Sequence, residues 1–266
     1  MTATVQSLYI YPIKSCKAIE LKQMKVTENG PQWDRNWVVI DELGKFISQR
    51  NCPKLSQVEV KIENEQLVFG HESHGWIQVP LNQKEEKKEF DIWGQTCWGW
   101  EVSRESSRWF SDYLQRKCYF INSAEEFFRQ SSSKRSHSAN LVYADGYPFL
   151  MISQASLEVL EQQMNLQKGQ LKMNRFRPNI VVSGMSEQQE DELKSFSIGE
   201  LKFQAVKACP RCVVVNVDQE NSKLNNKVLK TLATYRKTSE GILFGQNLVH
   251  LNTGHLCVGD EILPWV

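Results

Sequence analysis

The sequence predicts a mainly β protein with a few helices, a β-barrel or α+β architecture in which two barrel- or sandwich-like units pack together. Three observations predict it. Short runs of β-branched and aromatic residues alternate with period two between turn residues along most of the chain. Only three stretches carry an apolar stripe at helical spacing. A polar, aperiodic stretch over 122–140, with Ser131-Ser132-Ser133-Lys134-Arg135-Ser136 inside it, separates two strand-rich segments. It sets a domain boundary between residues 125 and 126, with units 1–125 and 126–266.

In chain order, Val5, Leu8 and Ile10 form the first apolar strand face, followed by Ile19 with Leu21 and by Met24 with Val26. Trp37 to Ile40 and Phe46 to Gln49 read as a pair of strands around Asp41-Glu42-Leu43-Gly44, a hairpin turn whose glycine supplies a positive φ. Val58 to Ile62, Trp76 to Leu81, Glu89 to Trp93 and Trp98 to Val102 complete the first unit. Ser103 caps a helix in which Trp109 with Tyr113 and Phe110 with Leu114 fall one turn apart. Past the boundary, strands are expected at Leu141 to Ala144, Ile180 to Ser183, Leu201 to Val206, Val213 to Val217, Leu248 to Leu251 and Leu256 to Val258. Ser153 caps a second helix with Leu157, Leu160 and Met164 on its inner face. A third runs from Asn225 with Val228, Leu229 and Leu232 inward. Such a strand inventory suits mostly antiparallel barrels or sandwiches.

Lys plus Arg number 32 against 31 Asp plus Glu, so no global charge draws the chain to nucleic acid or to an anionic membrane. No apolar run reaches the length of a bilayer span, and the N-terminal residues lack the pattern of a signal peptide. Of seven cysteines, five (Cys16, Cys52, Cys97, Cys118, Cys257) stand singly, which favours a reducing cytoplasm.

Cys209-Pro210-Arg211-Cys212 is the sharpest local signal. A zinc site needs two more Cys or His at close spacing, and those are scattered. A redox pair opens a helix, whereas a strand pattern, Val213-Val214-Val215-Asn216-Val217, follows here. Two idle thiols at a strand end is the remaining plain reading. Tyr11-Pro12-Ile13-Lys14-Ser15, Asp34-Arg35 and Phe176-Arg177-Pro178-Asn179 also put donors at strand or loop ends. Taken singly, Lys14 reads as a solvated charge, Arg35 as a partner of Asp34 or Asp41, and Arg177 as a pin from a loop to a carboxylate.

The motifs YPIKSC, DRNWVVIDELGKFISQR, FRPNIVVSG, ACPRCVVVNVD, TLATYR, FGQNL and GHLCVGDEI, in this order over nearly the whole chain, resemble the MOSC family with its N-terminal β-barrel partner domain. Within it the chain is most similar to the mitochondrial amidoxime-reducing components and their bacterial relatives. The resemblance implies a molybdenum cofactor, a pyranopterin whose dithiolene holds the metal, with Cys212 as the protein thiolate and Cys209 not a ligand. It assigns the anionic pterin and its phosphate to Lys14, Ser15, Arg35, Arg177, Asn179 and Arg211. Asp145 matches an Asp beside the metal, a catalytic candidate as a supporting or proton-handling group. Gly146 and Tyr147 depart from the small hydroxyl residues that follow that Asp in the family. Asn247 replaces an aromatic residue and retains a donor for the cofactor.

The implied activity is the two-electron reduction of N-hydroxylated compounds: hydroxylamines, amidoximes or N-hydroxylated bases. The chain ends without the Cys-x4-Cys-x2-Cys signature of a fused ferredoxin. Electrons are therefore expected from a separate ferredoxin-like, cytochrome b5-like or flavin reductase partner. The membrane-anchoring extension of the mitochondrial proteins has no counterpart here, so a soluble, cytoplasmic protein is expected, with partners in neither nucleic acid nor membrane. MOSC modules also end the molybdenum-cofactor sulfurases, and a cofactor-binding or carrier module without turnover is the alternative.

Overall fold

The computed structural model describes residues 2–123, 127–131 and 139–264. The expected boundary at 125/126 and most of the serine-rich run lie outside the described residues.

The largest sheet follows the order Ile19–Leu21, Thr4–Ile10, Ile180–Ser183, Phe149–Ser153, Gly241–His250, Leu201–Pro210, Ser195–Ile198, Ile262–Pro264. Its pairs are antiparallel except Phe149–Ser153 with Ile180–Ser183. A bridge from Thr4 to Glu261, flanked by Val5 N–H to Asp260 O and Ile262 N–H to Ala3 O (both 2.9 Å), brings the last strand back to the first and curls the sheet into a barrel. The strand Gln23–Thr27 pairs with Gly254–Cys257. The beginning of the chain is thus built into the sheet of its second half. Inward residues fill this barrel, with Leu8, Met151, Phe196 and Phe203 fully buried.

A second sheet orders Trp37–Asp41, Cys118–Asn122, Gln95–Glu101 and Lys87–Ile92. Trp37 and Val39 enter one core with Phe69, Phe110 and Phe120, while Val38 and Ile40 enter another with Phe90 and Tyr143. Four consecutive buried residues are what a strand covered on both faces requires. A three-stranded sheet, Glu59–Glu63, Gln66–His71 and Gly75–Pro80, and helix α1 (Arg104–Leu114) close the first of these cores.

All three helices form where their stripes put them. Ser103 and Ser153 each accept a hydrogen bond from the backbone N–H three residues on, capping α1 and α2 (Gln154–Gln163). Helix α3 (Lys227–Tyr235) buries Val228 and Leu232 against Leu157 and Leu160 of α2.

Three expected strands differ. Phe46 makes one bridge to Ile40 and the chain then leaves the sheet, because Ser48 O accepts from Cys52 N–H (2.8 Å) in a turn. Of Leu141 to Ala144 only Asn140–Leu141 pairs; the next residues descend to the cavity described below. Val213–Asn216 is a 3-10 turn despite its valines. The strand before it ends at Pro210, and turning carries Val215 into the core beside α3, so packing overrides β propensity. The strands Gln66–His71, Cys118–Asn122, Phe149–Ser153, Ser195–Ile198 and Ile262–Pro264 were not expected from the sequence.

Candidate functional site

Backbone pairing draws the scattered motifs together. The segment after the first strand runs beside the one before Trp37: Arg35 N–H donates to Tyr11 O (2.9 Å), Trp37 N–H to Pro12 O (3.0 Å) and Lys14 N–H to Trp37 O (2.8 Å). Tyr9 N–H donates to Asn179 O (2.9 Å), which brings the Phe176–Asn179 loop to the same end of the barrel. Asn247 lies opposite both Leu150 and Lys207 in the central sheet, and the strand carrying Lys207 leads to Cys209 and Arg211.

Three of the expected residues adopt the left-handed backbone region: Ser15 (φ 73°), Arg35 (φ 52°) and Arg177 (φ 56°). Each costs roughly 1 kcal/mol or more and persists only where the surroundings over-determine it. Here they do. Ser15 O accepts from the buried Gln49 side chain (2.7 Å), Arg35 N–H is held as above, and Arg177 caps the turn Met173–Phe176.

All nine expected residues, Lys14, Ser15, Arg35, Asp145, Arg177, Asn179, Arg211, Cys212 and Asn247, line one cavity of about 370 Å³. Its walls carry Lys14, Arg35, Arg50, Arg177, Lys207 and Arg211 against one acid, Asp145. The guanidiniums of Arg35 and Arg177 lie over the buried Tyr11 ring, 4.3 and 4.2 Å from its centroid, and the Tyr11 hydroxyl donates to Pro178 O (3.0 Å). Arg35 pairs with buried Asp34, not with Asp41, and reaches Asn179 Oδ1 at 3.3 Å. Asn179 also accepts from Leu150 N–H and donates to Tyr9 O, so its amide latches the loop.

Among the described residues Arg177 meets no carboxylate: it donates to Cys16 O (2.7 Å), and its Nη2 has no partner. Burial pushes its pKa down to about 10. Arg211 donates to Phe176 O (2.6 Å) and Cys209 Sγ (3.1 Å), and its Nε is likewise buried without a partner. Unpaired buried donors are rare and call for a ligand or a water.

Lys14 is buried, not solvated. It donates to Tyr143 O (2.7 Å) and pairs with Asp145. Burial lowers the pKa of Lys14, partly offset by Asp145. For Asp145, removal from water acts to raise the pKa. The charge and hydrogen bond of Lys14, the Trp93 indole N–H (3.0 Å) and the charge of Arg50 outweigh it and hold the carboxyl below the usual carboxylate range.

The cysteines of the pair differ. Cys209 Sγ is engaged by Arg211, whereas the half-buried thiol of Cys212 faces the cavity with no hydrogen-bond partner among the described residues. Cys212 does open a helical turn, although one of only four residues. No three His, Cys, Asp or Glu side chains cluster in metal-binding range among the described residues.

Several contributors were not among the expected site residues. Gln49 and Gln219 exchange amide hydrogen bonds (3.0 and 2.9 Å) and tie the two halves of the chain beneath Ser15. Arg129, buried and without an acidic partner among the described residues, donates to Val142 O (3.1 Å), Ala144 O and Gln95 Oε1 (2.8 Å), under the loop that presents Asp145. Trp93, Arg50 and Lys207 line the mouth. Gln49 and Arg50 close the motif DRNWVVIDELGKFISQR, and Trp93-Gly94, an apolar strand end before glycine, carried the local signal of a hairpin tip; Gln219, Arg129 and Lys207 carried none.

Comparison with known proteins agrees with the geometry. The MOSC N-terminal beta barrel domain matches residues 2–117, and the MOSC domain matches residues 138–263. The chain is 31% identical over 285 residues to mitochondrial amidoxime reducing component 2 of Rattus norvegicus, covering 99% of this chain and 83% of that protein. Its Homo sapiens counterpart is also 31% identical, over 99% and 84%. The molybdenum cofactor sulfurase of Homo sapiens is 28% identical over 98% of this chain, which spans only 32% of that longer protein. With both domains matched in order and relatives aligned over almost its whole length, the chain belongs to the MOSC family.

Proposed function

We propose that this protein is a molybdenum-cofactor-dependent oxidoreductase that reduces N-hydroxylated compounds, with electrons from a separate donor. The names of its relatives support a molybdenum-cofactor-related role. The observation that carries the reading is the pair of buried, partnerless guanidinium nitrogens, Arg177 Nη2 and Arg211 Nε, in a cation-rich cavity that also exposes the free thiol of Cys212. This donor set fits an anionic, thiolate-ligated group: bidentate cations for phosphate and a soft ligand for a soft-ligated metal.

In this reading Cys212 would ligate the metal as thiolate, and Arg177, Arg211 and Arg35 would hold the anionic pterin with Ser15, Asn179 and Asn247. When bound, the group supplies the two-electron chemistry of N–O cleavage, in which the N-hydroxyl compound takes up two electrons and two protons and yields the N–H compound and one water. Asp145, kept ionised by Lys14 and Trp93, serves as an acceptor that orients N–H groups at the mouth. Lys14 keeps its Nζ protons on Tyr143 O and Asp145. The donor is a ferredoxin-like, cytochrome b5-like or flavin reductase partner.

The seven free cysteines support a cytoplasmic setting, and no helix among the described residues is long and apolar enough to cross a membrane. The division at residues 125 and 126 belongs to the same proposal. It is supported by family matches on either side, although sheet pairing crosses it.

The relation to sulfurases favours a second reading, a module that binds or carries the cofactor without turnover. Protein from a cofactor-competent host, assayed for molybdenum and released pterin and then for amidoxime reduction with a surrogate donor, separates the two. We expect Cys212→Ala to abolish turnover and Cys209→Ala to retain it. Equal activity of the Cys212→Ala protein overturns the assignment.

A further inference from the structure

The charge around the cavity falls into two groups. Lys14 is neutralised by Asp145, Arg35 by Asp34, and Lys207 stands 3.8 Å from Glu240. Among the cations lining the cavity, this leaves Arg177 and Arg211 on the deep wall and Arg50 at the mouth. Arg50 forms no ion pair among the described residues and acts on Asp145 only from beyond ion-pair distance. Its guanidinium lies over the Trp93 ring, 4.2 Å from the centroid.

That stack is built into the fold. Trp93 occupies the left-handed region (φ 57°) at the tip of the hairpin between Lys87–Ile92 and Gln95–Glu101, a rare conformation for a bulky aromatic. Its indole N–H donates to Asp145 Oδ1 and its ring meets Phe46 edge-on at 5.0 Å. These contacts hold an aromatic surface, 48% exposed, with a flat guanidinium laid on it at the cavity entrance. A planar cation with free N–H groups recognises carboxylate or phosphate bidentately, and stacking preorganises it at little entropic cost.

We propose that Arg50, fixed on Trp93, is a specificity-determining residue that selects anionic substrates, namely N-hydroxylated compounds bearing a carboxylate or similar anionic group. This rests on the reductase reading above and narrows its substrate class. The deep guanidiniums take the cofactor's charge and Arg50 takes the substrate's.

The test uses full-length protein from a cofactor-competent host and three probes: neutral benzamidoxime and its 4-carboxylate and 4-phosphonate forms. Equilibrium binding is measured by calorimetry and turnover by kcat/KM. We expect the 4-carboxylate to exceed the neutral probe about tenfold in both readouts, the typical worth of one charge-assisted contact. Arg50→Gln brings that ratio near one, Arg50→Lys keeps part of it, and the preference shrinks with added salt. A preference for the phosphonate alone marks a phosphate-bearing substrate and still supports the proposal. No preference in the wild-type protein, or one that survives Arg50→Gln, overturns it. Arg50-dependent binding preference without turnover of any probe supports the proposal while sinking the reductase reading, so the two fail separately.

Discussion

The deep wall of the cavity and its mouth hold charge in opposite ways. On the deep wall, Arg177 has been taken out of water without a counter-charge, keeps an unused donor, and sits on a strained backbone. At the mouth, Lys14 and Asp145 satisfy each other, and the surrounding carbonyls are saturated: Val142 and Ala144 by Arg129, Tyr143 by Lys14. The first arrangement is poised for a ligand at the expense of stability. The second is paired internally and contributes to stability, leaving Arg50 as the cation at the mouth open to a ligand. Pre-organisation and stabilisation have thus been assigned to different residues of one cavity.

That contrast makes predictions of opposite sign. The largest effect is expected for Arg177→Met, which removes an unneutralised donor from the deep wall. Molybdenum and pterin content, measured by elemental analysis and pterin fluorescence, should fall more than about tenfold, the scale of losing one charge-assisted contact or more. Cofactor-free protein should meanwhile lose less stability in urea than Arg129→Met protein, because relief of the desolvation cost of a buried lone cation offsets the one bond to Cys16 O that is lost. A marked loss of apo stability would show that the deep wall is ordinary structure.

Next is Arg129→Met, which leaves two buried carbonyls of the mouth loop unpaired. A loss of roughly 2–4 kcal/mol in urea unfolding is expected, with partial rescue by Arg129→Lys. Asp145→Asn strands the Lys14 ammonium. Since the Asp145 side chain is 62% exposed, solvent screens the loss, which we expect at roughly 1–3 kcal/mol; Lys14→Met in the same protein should restore most of it. The pH dependence follows from sign. A carboxyl held below its usual pKa contributes in full above about pH 4 and ceases to contribute as pH falls through its folded value, so wild type and Asp145→Asn should converge only in acid. The smallest effect belongs to Gly146→Ser: a Cβ there meets nothing within 4 Å, and stability should change by less than about 0.5 kcal/mol.

Much of this was legible beforehand. Helix caps at Ser103 and Ser153 and the turn at Asp41-Glu42-Leu43-Gly44 are local: one side chain answers one backbone group a few residues away. The cavity-lining candidates were found through ordered motifs, and the cavity gathers all of them. The segments misread as strands, at Phe46, Ala144 and Val213, are those where the chain leaves a sheet to line the cavity, and there contacts with distant residues outweigh local propensity. Gln219, the partner of Gln49, and Arg129, which holds Val142 and Ala144, have no sequence signature, because one buried polar side chain is indistinguishable in sequence from a solvated one.

The sequence by itself determined the β-rich class, the three helices and nine of the cavity-lining residues, since periodicity and capping depend on near neighbours and the motifs are short contiguous runs. Only the tertiary structure decided which donors are neutralised and which stand free. Charge pairing depends on distances between segments more than a hundred residues apart, as Lys14 and Asp145 are, and no local pattern encodes such a distance.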